Sequence, residues 1–97
     1  MPGVNIVYPI SGSTYPITSP APGALSAAYV TASFGVTCGG GPRTVKWGFD
    51  AATALGTAKF YDQISVQFVQ KLSGGSHAFW VDAGACGKAQ VKFKVGT

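Results

Sequence analysis

The sequence contains no glutamate, one histidine and two cysteines, and only 10% of its 97 residues are charged. Metal centres need several converging ligands, and an active site needs titratable groups in mutual reach. No run of about eighteen apolar residues occurs, so no membrane-spanning helix is predicted. We therefore predict a chain that is not an enzyme, that holds no metal or cofactor, and that does not span a membrane.

A dense basic stripe is also missing, although the net charge is +4. The seven basic residues are scattered, and only Lys88, Lys92 and Lys94 lie near one another in sequence. Nucleic-acid-binding domains normally concentrate Lys and Arg on one face. The pattern predicts a solvated surface and no nucleic-acid partner.

Hydrophobic residues make up 46% of the chain, with 14 glycines and 6 prolines. This composition is typical of one folded domain, residues 1–97, with many turns between short strands. No basic segment precedes an apolar one at Met1, so no signal peptide is visible. Paired cysteines without a signal predict a mature domain excised from a longer secreted protein. The alternative is a cytosolic protein with two free thiols.

Apolar and polar residues alternate with a period of two along most of the chain, which is typical of strands with one buried face. Helix signals are missing. The fold class predicted is all-β, an immunoglobulin-like antiparallel sandwich of about seven strands. Strands are expected near 4–8, 28–38, 43–50, 57–61, 65–72, 77–82 and 89–95, with a short edge segment around 15–17.

The two cysteines are expected to form a disulfide. In such a sandwich, strands 43–50 and 77–82 are antiparallel neighbours, and a tight turn at 39–42 would reverse the chain after strand 28–38. Cys38 and Cys86 would then lie at the same end of the molecule, as a bridge requires. The alternative is a pair of buried, unbridged thiols.

Three segments carry a family resemblance. Residues 9–15 read PISGSTY, residues 47–50 read WGFD with LG at 55–56, and residues 72–77 read LSGGSH. These resemble the opening element, the third-strand region and the turn before the sixth strand of bacterial immunoglobulin-like (Big-type) domains. The chain departs from that pattern at Ala51, where the family usually has glycine, and in its cysteine pair.

The resemblance implies a non-catalytic module of a secreted or cell-surface protein. Such domains act as spacers, as adhesive units or as accessory modules linked to extracellular catalytic domains, including those that degrade polysaccharides. Weak binding to polysaccharide or cell-surface material is one expectation. The alternative is a self-assembling structural protein whose β-edges, at 4–7 or 89–95, pair between molecules.

Trp80 is the main candidate ligand-binding residue. It stands between Phe79 and Val81, so alternation points its ring outward, and outward aromatic rings stack on sugars and favour interfaces. The alternative is that a neighbouring loop covers the ring. Tyr61 is the second candidate, and Tyr15 and Tyr29 would extend the platform if they share its face.

Trp47 is expected in the core, like the buried tryptophan of such sandwiches. His77 is expected to stabilise the turn after Gly75 by hydrogen bonding. Asp50 and Asp62 flank one loop region, but calcium prefers six or more oxygens. A calcium site there is therefore not predicted.

Overall fold

A computed structural model describes residues 2–18 and 27–96, and strands dominate both ranges. The all-β prediction is confirmed. No helix in these two ranges is long and apolar enough to cross a membrane. The elements are β1 (Gly3–Tyr8), β2 (Thr14–Pro16), β3 (Ala27–Phe49), β4 (Gly56–Ser73), β5 (Gly75–Asp82), a 3-10 turn (Gly84–Cys86) and β6 (Lys88–Gly96).

The six strands form one mixed sheet rather than two separate ones. Its order is β1-β3-β5-β6-β2, and β4 pairs along the other side of β3. All pairs are antiparallel except β2 with β6, which is parallel. The predicted antiparallel pairing of 43–50 with 77–82 is confirmed, with Lys46 opposite Asp82 and Phe49 opposite Phe79.

The sheet bends sharply where β3 passes through residues 39–42. Cys38 lies opposite Asp62 of β4, but the next paired residue is Pro42, opposite Tyr61, so 39–41 form a bulge. Gly40 and Asp62 both adopt positive φ at this point. Bulges bend a strand and increase its twist. The two halves of β3 consequently fold over each other, and the ring of Phe34 lies 5.3 Å from that of Trp47.

The structure differs here from the sequence-based expectation. Residues 39–42 bend β3 without ending it, because hydrogen bonding to β4 continues on both sides of the bulge. In the same way, the segments expected at 57–61 and 65–72 are one strand, β4. The described residues form a curled half-barrel of six strands rather than a clear two-sheet sandwich of seven.

The hydrophobic core lies inside the curl. Alternate residues of β3 point inward, as the sequence predicted, and meet inward residues of β5 and β6. Phe79 of β5 is completely buried, and its ring lies 4.8 Å from that of Phe49. The largest fully buried side chains are those of Phe34, Phe79, Val30, Val36, Val45, Val81 and Pro9.

A disulfide joins Cys38 and Cys86, as the sequence predicted, with their Cα atoms 5.8 Å apart. Cys38 lies at the bend of β3, and Cys86 closes the 3-10 turn between β5 and β6. The bridge therefore attaches the β5–β6 connection to the bend of the sheet. The short edge segment expected around 15–17 corresponds to β2, and residues 19–26, which follow it, lie outside the described residues.

Candidate functional site

Trp80 lies on β5, directly opposite Gly48 of β3 and Gln90 of β6. Its neighbours Phe79 and Val81 are buried in the core. Because successive side chains of a strand point to opposite faces, the indole lies on the outer face of the sheet. Its side chain is half-buried rather than fully exposed.

The loop after β3 accounts for that partial burial. The indole Nε1–H donates a hydrogen bond of 2.8 Å to the carbonyl of Ala51. The ring also occupies the space over Gly48, where an added Cβ would lie 2.7 Å from Cζ2 of Trp80. The loop and the glycine together hold the ring in one position, so it is both outward-facing and partly covered.

A shallow groove of about 340 Å³ lies beside this ring. The Asp82 carboxylate borders it, accepting a hydrogen bond of 2.8 Å from the backbone N–H of Gly84 and lying 3.8 Å from the Lys88 ammonium. The groove therefore combines an aromatic ring with a carboxylate, an ammonium and an amide. Its lining residues are Trp80, Val81, Asp82, Lys88, Ala89 and Gln90.

Tyr61 does not share this groove. It is 66% exposed on β4, opposite Pro42 of β3, whereas Trp80 is opposite Gly48. Six residues of an extended strand separate Pro42 from Gly48, which is roughly 20 Å. The structure thus places the two candidate residues at separate points of the surface.

The remaining aromatic residues are also dispersed. Tyr29 is 60% exposed and faces Lys71. The ring of Tyr15 lies 5.7 Å from that of Phe93, and its hydroxyl accepts a hydrogen bond from the Ile10 N–H. Trp47, expected in the core, is half-buried at its margin and covers Gly56.

A second cluster forms around His77, where β3 ends beside β5. The Nδ1 atom lies 2.7 Å from one carboxylate oxygen of Asp50, and Nε2 lies 2.7 Å from the carbonyl oxygen of Ser73. The other Asp50 oxygen accepts a hydrogen bond from the backbone N–H of Ala78. His77 therefore bridges the β4–β5 turn, in line with its expected role there, and Asp50 stabilises it across the sheet.

These partners shift the pKa of His77. Burial of the ring disfavours its charged form, but the hydrogen bond to Asp50, the bond to the Ser73 carbonyl and the nearby Asp50 charge raise the pKa of His77 overall. A backbone carbonyl can only accept, so Nε2 carries a proton. In the protonated ring both nitrogens donate, Nδ1 to the Asp50 carboxylate and Nε2 to the Ser73 carbonyl.

An open cleft of about 660 Å³ lies next to His77, between β6 and the segment before β2. Lys92 and Lys94 border it together with Ser13, Thr14 and Ser76. Within 2–18 and 27–96, no group of three or more His, Cys, Asp or Glu side chains is arranged to hold a metal ion. The cleft offers hydroxyl and ammonium groups instead, which suit a polar or anionic ligand.

The sequence did not lead us to predict the long outer edge of β4. The strand is 18 residues long, and in the described part of the chain its only strand partner is β3. The sequence signal was present in the apolar residues that recur at alternate positions between Ala58 and Leu72. Asp62, which adopts a positive φ, interrupts this period of two, and two separate strands were therefore expected.

Comparison with known proteins gave no relatives: no family model, curated protein or solved structure matches this chain.

Proposed function

We propose that this chain is a non-catalytic extracellular β-module that attaches or spaces a larger protein and binds polysaccharide or cell-surface material weakly. The observation that carries the proposal is the groove beside Trp80. Sugars present apolar C–H faces and peripheral hydroxyls, so an aromatic ring flanked by hydrogen-bonding groups suits them. Asp82, Lys88 and Gln90 supply those groups.

The rigidity of the ring supports weak binding without large rearrangement. Trp80 is held by the Ala51 carbonyl and by contact with Gly48. A ring that is already positioned loses little side-chain entropy when a ligand stacks on it. One ring with a shallow groove suits attachment to a repeating polymer, where many weak contacts act together.

The disulfide supports the extracellular part of the proposal. Disulfides persist mainly in oxidising compartments such as the cell exterior, and Cys38–Cys86 links residues that are 48 positions apart in the sequence. Under this proposal the chain is a Big-type immunoglobulin-like module, linked in its parent protein to a catalytic domain. The antiparallel pairing of β3 with β5 supports that assignment.

A pull-down on insoluble chitin, cellulose and cell-wall material tests the binding. We expect the wild-type chain to be retained on at least one of them and Trp80→Ala to lose that retention. Gln90→Ala, a smaller change in the same groove, should weaken it. Tyr61→Ala is the matched control, because Tyr61 is exposed elsewhere.

The results separate the parts of the proposal. Retention that is unchanged in Trp80→Ala, with the variant still folded, would exclude the groove. Absence of wild-type retention on every material would exclude polysaccharide binding and leave attachment or spacing as the proposed role.

A second candidate function is self-association through β-edges, favoured by the outer edge of β4, which has no strand partner among residues 2–18 and 27–96. Exposed edges present unpaired N–H and C=O groups that pair readily with another strand. The edge expected at 89–95 lies within β6, which pairs with β5 throughout and with β2 at its end. The edge expected at 4–7 lies within the much shorter β1.

A further inference from the structure

The outer edge of β4 is a long row of backbone groups without a strand partner in the described part of the chain. Its inner side pairs with β3 from Gly56 opposite Trp47 to Ser73 opposite Ala27. In an antiparallel strand, about half of the N–H and C=O groups point away from the existing neighbour. These groups are arranged to accept another extended strand.

The middle of this edge lacks the usual protection against pairing. Proteins protect edges with charged side chains, proline or bulges, and residues 63–70 read QISVQFVQ, with no charge and no proline. The nearest charged residues, Asp62 and Lys71, bracket the segment. Past the positive φ of Asp62, β4 pairs with β3 in an unbroken register to Ser73.

The side chains of this segment alternate between two environments. Ile64, Val66 and Phe68 face inward and remain partly exposed at the margin of the core. Val69 on the opposite face is 58% exposed. A strand added here would cover apolar side chains as well as backbone groups, and apolar burial favours association.

We propose that the occupant of this edge is β4 of a second copy, antiparallel, with a two-fold axis through Val66. Val66 then lies opposite its own counterpart, and Ile64 lies opposite Phe68 of the second copy. On the outer face, Ser65 lies opposite Gln67 and Gln63 opposite Val69. Apolar residues meet on the inner face, and no like charges oppose each other in this register.

Neighbouring registers fit less well. An axis through Gln67 would place Ile64 opposite Gln70 and Gln63 opposite Lys71. An axis through Val66 instead places Lys71 opposite Tyr61, where its ammonium can approach the exposed ring. In a closed two-fold dimer the outer edges of both β4 strands are paired with each other, so no further copy can add at this edge.

This inference rests on the second candidate function, self-association, and specifies its strand and register. Sedimentation velocity over a wide concentration range tests it. We expect a monomer–dimer equilibrium for the wild-type chain. The Ser65→Lys/Gln67→Lys variant places lysines directly opposite each other on the outer face, so its dissociation constant should rise at least about tenfold.

The control variant, Ala52→Lys/Ala54→Lys, adds the same charge to the exposed loop after β3. It should dimerise nearly as the wild type does. A wild-type chain that stays monomeric at the highest concentration would overturn both self-association and this inference. A dimer that the two variants affect equally would overturn the β4 interface alone, and self-association through another surface would stand.

Cysteine cross-linking tests the register. In the proposed dimer the two Val66 Cα atoms are about 4.5–5.5 Å apart, which a disulfide can span. We expect Val66→Cys to form an intermolecular bridge under mild oxidation, with Cys38–Cys86 intact. Gln67→Cys should not, because its counterpart is displaced along the strand. Cross-linking of Gln67→Cys alone, or of neither variant, would overturn the register.

Discussion

The indole of Trp80 fills the position that a side chain at Gly48 would occupy on the neighbouring strand. An added Cβ at Gly48 would lie 2.7 Å and 2.9 Å from two ring atoms and 3.1 Å from the Thr53 carbonyl oxygen. Trp47 and Gly56, opposite each other on β3 and β4, repeat the relationship. In both pairs the glycine permits the tryptophan position.

We therefore expect Gly48→Ala to destabilise the fold by about 1–3 kcal/mol, the usual cost of overpacking. Gly35→Ala is the matched control on the same strand, since its Cβ would meet nothing closer than 3.7 Å. It should be neutral within about 1 kcal/mol. Chemical denaturation measures both. Equal stability of Gly48→Ala and wild type would contradict the close ring contact.

The His77–Asp50 contact makes stability depend on pH. The pKa of His77 is raised in the folded chain, because its hydrogen bonds and the Asp50 charge outweigh the effect of burial. Stabilisation from the protonated ring is therefore fully present below the unfolded value of about 6.5 and is lost as pH rises through the folded pKa.

The free energy of unfolding of wild type and His77→Gln, measured between pH 5 and pH 9, tests this. The wild-type advantage should be larger at pH 5.5 than at pH 8.5. A proton NMR titration of the His77 ring gives the folded pKa directly. A titration midpoint below that of an unfolded peptide would show that burial, rather than Asp50, dominates.

The disulfide should contribute substantially to stability, since Cys38 and Cys86 are 48 residues apart in sequence. The chain-entropy model assigns a bridge closing such a loop roughly 4 kcal/mol. We expect the Cys38→Ala/Cys86→Ala variant to lose about that amount in chemical denaturation. Wild type with its disulfide reduced is the control, because it lacks the bridge but keeps both sulfur atoms. A loss below about 1 kcal/mol would mean that the bend is held without the bridge.

The segment between β1 and β2 depends on Tyr15. Its hydroxyl accepts a hydrogen bond of 2.9 Å from the Ile10 N–H. Tyr15→Phe keeps the ring contact with Phe93 and removes only this bond, so we expect a loss of about 1 kcal/mol. Tyr29→Phe, at a residue 60% exposed, should change stability little. Thermal denaturation compares the two, and equal effects would contradict a specific role for the Tyr15 hydroxyl.

The alternation of apolar and polar residues predicted much of the fold. The inward face of β3, including Phe34, Val36 and Cys38, and the inward residues of β5 were predicted and are buried. The cysteine pairing was also predicted, although the turn used in the argument is a bend within one strand. The prediction of the disulfide also needed the antiparallel pairing of 43–50 with 77–82, which was assumed from the immunoglobulin-like topology and brings both cysteines to the same end of the core.

The contacts at the candidate sites were harder to predict from the sequence. Alternation placed Trp80 on the outer face, but its bond to the Ala51 carbonyl depends on how the loop after β3 folds back. The contact between His77 and Asp50, 27 residues apart, required the pairing of β3 with β5. Neither contact has a local signature in the sequence.

The sequence by itself determined the strand period and the inward face, because these depend on the order of neighbouring side chains. Only the tertiary structure decided that residues 39–42 bend a continuous strand, that Trp80 borders a groove and that β4 has one edge without a strand partner among the residues described. Each of these depends on which strands pair across long sequence separations. The backbone hydrogen bonds that pair them are common to all residues, so the local sequence does not specify the partners.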